Sequence, residues 1–204
     1  MITLTLGDFQ SNCYILNDDG FAFVIDPGGE PRKILEILRK NKIEEIKIVN
    51  THAHIDHWLG NSFLKKNITA GIFIGENEKE TCFLPEANLS SFAVGAVFPP
   101  PDGWLSDGQV LKEKDISLEV INTPGHTPGG ISLLGPGGIF TGDTLFAGSV
   151  GRCDLPYGDE KTLMDSIKAR LLPFPDGTKI FPGHGPLSTI GTERKTNPFL
   201  INRL

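Results

Sequence analysis

Positive charge, long apolar runs and cysteine are all scarce in this chain. The 19 Lys and Arg residues are outnumbered by 25 Asp and Glu residues, so the formal net charge is −6. A chain without a basic excess lacks the electrostatic footprint of a nucleic-acid-binding protein. No basic amphipathic segment indicates a membrane surface either. We therefore expect a small-molecule partner, with neither nucleic acid nor membrane.

The sequence also lacks the marks of export. Its first residues, MITLTLGDFQSNCYIL, contain no positive cluster followed by a long apolar run, so we expect neither a secretory signal nor a membrane-spanning helix. A cytoplasmic location is the default expectation. Cys13, Cys82 and Cys153 lie far apart and form no CxxC pair, which fits reduced structural thiols better than a disulfide framework.

The pattern of apolar residues predicts strands that alternate with helices. With 39% apolar content, residues 1–204 are expected to form one domain with one core. The first half predicts three short strands, a helix and a further strand, at residues 2–6, 12–17, 21–25, 31–40 and 46–50. The segment Asn17-Asp18-Asp19-Gly20 predicts the hairpin turn between the second and third strands.

The second half repeats this order. GGISLLGPGGIFTGDTLF predicts a hairpin that ends at Asp143, much as CYILNDDGFAFVIDPG predicts one that ends at Asp26. Residues 159–172 then predict a helix, and residues 178–185 a strand. Two similar β-β-α-β halves can face each other and bring the loops at their strand ends to one edge. The sequence therefore predicts an α/β fold of two similar halves.

Histidine is also scarce, yet three of the five histidines lie in THAHIDH, residues 51–57. Imidazole and carboxylate are ligands for zinc and similar divalent ions. His52 and His54 point to one side if the backbone is extended, and a turn at Ile55 lets Asp56 and His57 face a second position. Because a catalytic ion keeps one position open, four candidate ligands in one loop favour two ions.

Three further candidates, His126, Asp143 and His184, follow other predicted strands. We assign one metal to His52, His54 and His126 and the other to Asp56, His57 and His184, with Asp143 as the bridge. Such ions lie about 3.5–4 Å apart and lower the pKa of a bound water towards about 7. We expect Asp56 and Asp143 to be the catalytic carboxylates, with Asp56 both a ligand and the holder of a bridging hydroxide. Zinc is the expected metal, and iron and manganese are the alternatives.

Two other features have open interpretations. Asp26 either belongs to the site or only caps its strand by accepting hydrogen bonds from backbone N–H groups. Residues 83–101, FLPEANLSSFAVGAVFPPP, predict a long irregular segment. Because the segment is long and apolar, we expect a lip over a pocket, with a packed surface loop as the alternative.

The motifs THAHIDH, PGHTPGG, FTGDTLF and FPGHG, in this order, resemble the metallo-β-lactamase superfamily over essentially the whole chain. The resemblance implies an αβ/βα sandwich with a dinuclear site at one edge, and the same ligand grouping. The stretch GDTLFAGSVGRCD is similar to the hydroxyacylglutathione hydrolases, or glyoxalase II, and their compact relatives. That similarity implies a thioesterase that cleaves hydroxyacylglutathione through a metal-bound hydroxide.

Arg152 occupies a position where the glyoxalase II resemblance implies a glutathione contact, which could be a bidentate pair with a carboxylate. The alternative is a salt bridge to Asp154 or Asp159 that orders the loop. Two features depart from the family pattern: Asp154 stands where a tyrosine is frequent, and GHGP stands where GHEY is frequent. The chain as given ends soon after His184, so we expect no helical C-terminal domain to add glutathione contacts.

Other functions stay open at this point. The pattern from Gly151 to Asp154 also resembles persulfide dioxygenases, which use one iron and share the ligand residues. Lactonases and true β-lactamases are further hydrolytic alternatives. A metal-stabilised domain without activity is the least favoured, because structural zinc sites are closed, four-coordinate and rich in cysteine.

Overall fold

A computed structural model describes residues 1–93 and 95–201. The first six strands form one sheet, whose spatial order follows the chain: β1 (Ile2–Leu6), β2 (Ser11–Asp18), β3 (Phe21–Ile25), β4 (Glu45–Asn50), β5 (Thr69–Gly75) and β6 (Gly103–Leu105). Strands β1 to β3 are antiparallel, whereas β3 to β6 are parallel. The parallel part places the carboxyl ends of β3, β4 and β5 at one edge.

The second sheet is formed by β7 (Val110–Glu113), β8 (Ile116–Asn122), β9 (Ile131–Gly135), β10 (Gly138–Gly142), β13 (Lys179–Pro182) and β14 (Ser188–Thr189). Its spatial order is β14-β13-β10-β9-β8-β7. Only the β10 and β13 pair is parallel among these described strands. A small hairpin of β11 (Leu145–Phe146) and β12 (Ser149–Val150) follows β10.

The helices are short and lie between strands: α1 (Pro31–Lys40), α2 (Asn61–Asn67), α3 (Glu160–Ser166) and α4 (Ile190–Thr196). In α1 a proline occupies the first turn and two basic residues the last, as helix geometry and its dipole favour. The α3 helix is capped by Asp159, whose Oδ1 accepts a 2.6 Å hydrogen bond from Thr162 N.

Apolar side chains fill three layers. Aromatic rings occupy the space between the sheets, where the Tyr14 ring lies 5.1 Å from that of Phe140. On the outer face of the first sheet, Ile34 and Leu38 of α1 are fully buried. On the outer face of the second sheet, Leu163 of α3 packs with Ile139 and Ile180. The architecture is therefore an αβ/βα sandwich, which confirms the predicted fold class.

The two halves correspond as predicted. The β2–β3 hairpin, α1 and β4 match the β9–β10 hairpin, α3 and β13, and the last strand of each half pairs in parallel with its hairpin. Two details differ from the sequence prediction. Strand β2 continues to Asp18, so the hairpin turn is shorter than four residues. The predicted helix over residues 159–172 changes to a π-helix at Ile167–Leu171.

The segment 83–101 is irregular in its described part, with one short 3₁₀ turn at Ser90–Phe92. Phe98 attaches this segment to the rest of the protein, since its buried ring packs against Trp58 with 5.1 Å between the ring centroids. The three cysteines are free, and Cys13 and Cys82 are buried. In the described part of the chain, no helix has the length and apolar character needed to cross a bilayer.

Candidate dinuclear metal site

Seven polar side chains meet at the edge of the two sheets, all of them just beyond a strand end: His52, His54, Asp56, His57, His126, Asp143 and His184. The first four follow β4, and the others follow β8, β10 and β13. Because the strands of each parallel pair end at the same edge, distant parts of the sequence reach one place. The structure thus brings together every residue that the sequence analysis assigned to the metals.

These side chains form two groups joined by an aspartate. Donor atoms of His52, His54 and His126 lie within 4.8 Å of one another, as do those of Asp56, His57 and His184. Asp143 lies between the groups: Oδ1 is 3.4 Å from His57 Nε2, and Oδ2 is 3.6 Å from His126 Nε2. The two groups and the central aspartate match the predicted arrangement, while metal binding itself stays a prediction.

A sharp turn separates the two groups within one loop. The backbone at His54 is extended, and a single 3₁₀ turn follows at Ile55–His57, which directs Asp56 and His57 away from the preceding histidines. The turn packs closely on the loop after β3, since a Cβ added at Gly28 would lie 1.6 Å from the Asp56 carbonyl oxygen. Only a residue without a side chain at position 28 therefore allows the two loops to approach this closely.

Backbone carbonyls orient two of the imidazoles. His126 Nδ1 lies 2.7 Å from the Arg152 carbonyl oxygen, and His184 Nδ1 lies 3.1 Å from that of Phe9. A carbonyl can only accept, so each Nδ1 donates, and in the neutral imidazole Nε2 then carries the lone pair. This tautomer is the one that binds a metal through Nε2. The sequence carried no signal for these carbonyl partners.

Asp26 supports one imidazole in each group. Its Oδ2 lies 3.0 Å from His57 Nδ1 and accepts a 2.7 Å hydrogen bond from Thr51 Oγ1. Because that hydroxyl donates to Asp26, it accepts from His52 Nδ1, 3.1 Å away. Asp26 Oδ1 also accepts from Thr51 N. Asp26 is thus both a backbone cap and a member of the site, and its correspondence with Asp143 in the repeat was the signal for it.

The interior of the site has the unpaired atoms that a metal would use. Among the described residues, His52 Nε2, His54 Nε2, His57 Nε2 and Asp143 Oδ1 are buried without a hydrogen-bond partner. Buried polar atoms are normally paired, because leaving them unpaired is costly. His54 Nδ1 and His126 Nε2 lie within hydrogen-bond distance of each other, at 2.8 Å, and are not among these unpaired atoms. Unpaired imidazole nitrogens and carboxylate oxygens are the ligand set of zinc and related ions, so these residues fit a dinuclear centre.

Burial keeps two imidazoles of the first group, those of His52 and His54, neutral. It lowers the pKa of His52 well below its ordinary value, and the neighbouring imidazoles lower it further. Burial likewise lowers the pKa of His54 to about 3. A neutral imidazole is the form that coordinates a metal. These two side chains are therefore ready to act as ligands at neutral pH.

Three carboxylates surround His57 in the second group. Burial would lower the pKa of His57, but Asp56, Asp143 and Asp26 together raise it to about 10. Burial would raise the pKa of Asp56, yet His57 and His184 hold it below its usual range. The three carboxylates therefore favour positive charge between them, and a divalent cation supplies more of it than a proton does.

Gly183 and Gly151 lie so close to Asp143 that neither position has space for a side chain. A Cβ at Gly183 would lie 2.1 Å from Asp143 Oδ1, and one at Gly151 would lie 1.9 Å from the Asp143 carbonyl oxygen. Larger side chains at either position would displace Asp143. The motifs FPGHG and GSVGR thus contain glycines that the packing of the site requires.

A cavity of about 710 Å³ opens onto both groups. Leu89 and Phe92 from the segment 83–101 line it, which confirms the predicted lip. Arg152 also lines it, but its guanidinium holds Asp154 through two bonds, Nε to Oδ1 at 2.8 Å and Nη2 to Oδ2 at 2.7 Å. The predicted salt bridge to Asp154 is therefore the contact that this side chain makes.

Known proteins share this architecture and, in part, the sequence. Residues 6–184 match the model of the metallo-beta-lactamase superfamily. The chain is 37% identical to the hydroxyacylglutathione hydrolase GloC of Haemophilus influenzae, over 96% of this chain and 95% of that one. The solved structure of the BLEG-1 B3 metallo-beta-lactamase has a TM-score of 0.90 and 35% identity, covering 98% of both chains. That of TTHA1623 in a di-iron-bound form has a TM-score of 0.85 and 36% identity, covering 98% of this chain and all of the other.

Proposed function

The chain belongs to the metallo-β-lactamase superfamily, and from this membership and the geometry of the site we propose that it is a metal-dependent thioesterase like glyoxalase II. The observation that carries the proposal is the pair of His/Asp groups joined by Asp143 at the floor of the cavity. The 37% identity to a hydroxyacylglutathione hydrolase supports the choice of thioesters.

The wall of the cavity supports water as the nucleophile. Among its described lining residues there is no serine, threonine or cysteine, and the buried Cys13 and Cys82 both have raised pKa values because of burial. The hydroxyl and thiol nucleophiles that form acyl-enzyme intermediates are therefore absent from the described wall. We therefore assign the attack on the substrate to water.

The seven side chains would hold two divalent ions, with Asp143 shared between them. Bound there, such ions would polarise the thioester carbonyl and make a nearby water more acidic. We propose zinc as the resident metal, because the donors are imidazoles and carboxylates. Iron is the alternative, since the related TTHA1623 was solved in a di-iron-bound form.

The chain's own residues then have distinct roles. Asp56 borders the cavity, and its Oδ2 lies 3.2 Å from His184 Nε2. We assign Asp56 to orienting the attacking water by accepting one of its protons in a hydrogen bond. The water oxygen bonds to the acyl carbon, the carbon–sulfur bond breaks, and the leaving thiolate gains a proton. The products are a carboxylic acid and a thiol.

A panel of three reactions tests the proposal. The metal-loaded protein is assayed for hydrolysis of lactoylglutathione, for hydrolysis of a β-lactam and for oxygen uptake with glutathione persulfide. We expect thioester turnover at least tenfold faster than β-lactam turnover, and no oxygen uptake. Oxygen uptake without thioester hydrolysis would replace the hydrolase proposal with a dioxygenase. An inactive protein that retains its metals would instead indicate a non-catalytic domain.

A further inference from the structure

The cavity above the site has an apolar wall. Its non-ligand lining consists largely of hydrocarbon side chains: Phe9, Leu89, Phe92, Phe146, Val150 and Leu155. Two of these aromatic rings are open to solvent, since Phe9 is 62% exposed and Phe92 81% exposed. Exposed rings that rim one concave surface mark a place where an apolar ligand binds.

The same wall contains few charged groups that could bind a charged ligand. Arg152 is the one permanently charged cation among the described lining residues, and Asp154 already neutralises it. Glutathione carries two carboxylates and an ammonium group, so this wall matches only a small part of it. The part of the substrate that fills the cavity must therefore be mainly uncharged.

The cavity has two chemically different sides. The backbone of Arg152 lies beside His126, whose Nδ1 donates to the Arg152 carbonyl oxygen, and the Arg152 side chain lines the cavity. The Phe146 ring lies beside His184, with 6.2 Å between the ring centroids. The Phe9 backbone also contacts His184 through its carbonyl oxygen, and the Phe9 side chain lines the same cavity. A carboxylate of the thiol arm can replace Asp154 at the exposed Arg152 guanidinium, and a hydrocarbon arm fits the aromatic side.

We propose that the substrate is a thioester whose acyl group carries a hydrocarbon side chain larger than methyl, which packs against Phe9, Phe146 and the Leu89–Phe92 lip. This inference rests on the proposed thioesterase function, and it narrows the acyl group. Burying one methylene contributes up to about a fourfold gain in binding. Specificity then comes from the apolar wall, while Arg152 makes a smaller contribution at the thiol end.

The first experiment is a series of 2-hydroxyacyl-glutathione thioesters with methyl, propyl, pentyl and phenyl side chains. We expect kcat/KM to rise about threefold per methylene from methyl to pentyl, and the phenyl substrate to exceed the methyl one. Phe9→Ala and Phe92→Ala should reduce this slope. Both side chains are exposed, so the variants should fold. Phe9→Ala also retains the carbonyl that contacts His184.

Phe83→Ala is the matched control. Phe83 lies in the same irregular segment and is 47% exposed, but it does not line the cavity. Its variant should retain the full dependence on chain length. Equal kcat/KM for all four acyl groups would overturn the inference. So would a gain that follows the hydrophobicity of the thiol instead of the acyl group.

A binding measurement separates this inference from the proposed function. Glutathione thioethers with 2-hydroxyalkyl groups of the same lengths lack the carbonyl and cannot be hydrolysed. Calorimetry should give tighter binding and a more negative heat-capacity change as the chain lengthens. If this trend holds without hydrolysis of any thioester, the apolar site stands and the proposed activity fails. If binding is independent of chain length, the inference fails whatever the activity.

Discussion

His57 Nδ1 lies 3.0 Å from Asp26 Oδ2, and both side chains are buried. The same oxygen accepts a hydrogen bond from Thr51 Oγ1, which contacts His52. One carboxylate therefore orients an imidazole in each of the two groups. Partners that orient metal-binding imidazoles in this way strongly affect metal affinity.

Changing Asp26 to Asn should weaken metal binding at both positions. Asn tolerates the positive φ of 50° at this residue, but it removes the charge that orients His57. We expect affinity for zinc to fall about 10- to 100-fold, measured by competition with a chromogenic chelator. Asp19→Asn is the control, since Asp19 also has a positive φ but lies on the surface. Unchanged affinity in Asp26→Asn would contradict the orienting role.

A methyl group at Gly183 should disrupt the centre of the site. The added Cβ would lie 2.1 Å from Asp143 Oδ1, so the carboxylate must move. Gly183→Ala should lose bound metal, with metal content measured by plasma mass spectrometry. At Gly177 a Cβ would meet nothing within 4 Å, and Gly177→Ala should retain metal. If both variants bound metal equally, Asp143 would not need its present position.

The variant Arg152→Ala tests whether this side chain contacts the substrate or only orders its own loop. The Arg152–Asp154 pair is largely exposed, so it adds little stability and can open. If the guanidinium contacts glutathione, KM should rise about fivefold for a glutathione thioester and stay constant for a thioester of an uncharged thiol. Asp154→Asn frees Arg152 and should not raise KM. Equal effects of Arg152→Ala on both substrates would leave only the ordering of the loop.

Glu78 is a buried carboxylate outside the two groups, and it makes stability depend on pH. Burial raises its pKa above the ordinary value of 4.5, although the Thr127 and Thr81 hydroxyls oppose this. The folded state therefore holds the proton more tightly than the unfolded state. The resulting stabilisation is complete below pH 4.5 and is lost as pH rises through the raised pKa.

Glu78→Gln should remove this loss of folding stability at higher pH. At pH 7 the Tm of the variant should exceed that of the parent by about 2–4 °C, and the difference should shrink towards pH 4.5. Differential scanning calorimetry at several pH values measures this. Glu80→Gln, at an exposed position two residues further on, should leave the profile unchanged. A Tm difference that is constant over this range would exclude titration of Glu78 as its cause.

The sequence predicted the site well because its chemistry is concentrated at strand ends. THAHIDH follows β4 directly, and His184 follows β13, so correct strand assignments were enough to bring these residues together. The repeat of hairpin, helix and strand also predicted two facing halves. Short motifs with metal-ligating residues after buried strands are informative because strand ends have fixed positions at a sheet edge.

The supporting contacts could not be predicted in the same way. The Phe9 carbonyl meets His184 across 175 residues of chain, and the Arg152 carbonyl meets His126 through a loop. A backbone carbonyl is present at every residue, so the residue type gives no signal. Strand β5 was also missed, since its glycines lower β propensity and pairing with β4 and β6 determines it instead. The π-helix after α3 likewise has an ordinary helical sequence pattern.

The ratio of bound metal to protein decides whether the site holds two ions. Plasma mass spectrometry of the freshly purified chain, with Asp143→Ala measured in parallel, counts the ions that the two groups hold. We expect about two divalent ions per chain. Asp143→Ala should lose both metal and thioester hydrolysis, because the shared ligand is gone. A single ion per chain, or two ions and full hydrolysis retained in Asp143→Ala, would contradict a dinuclear centre built around this aspartate.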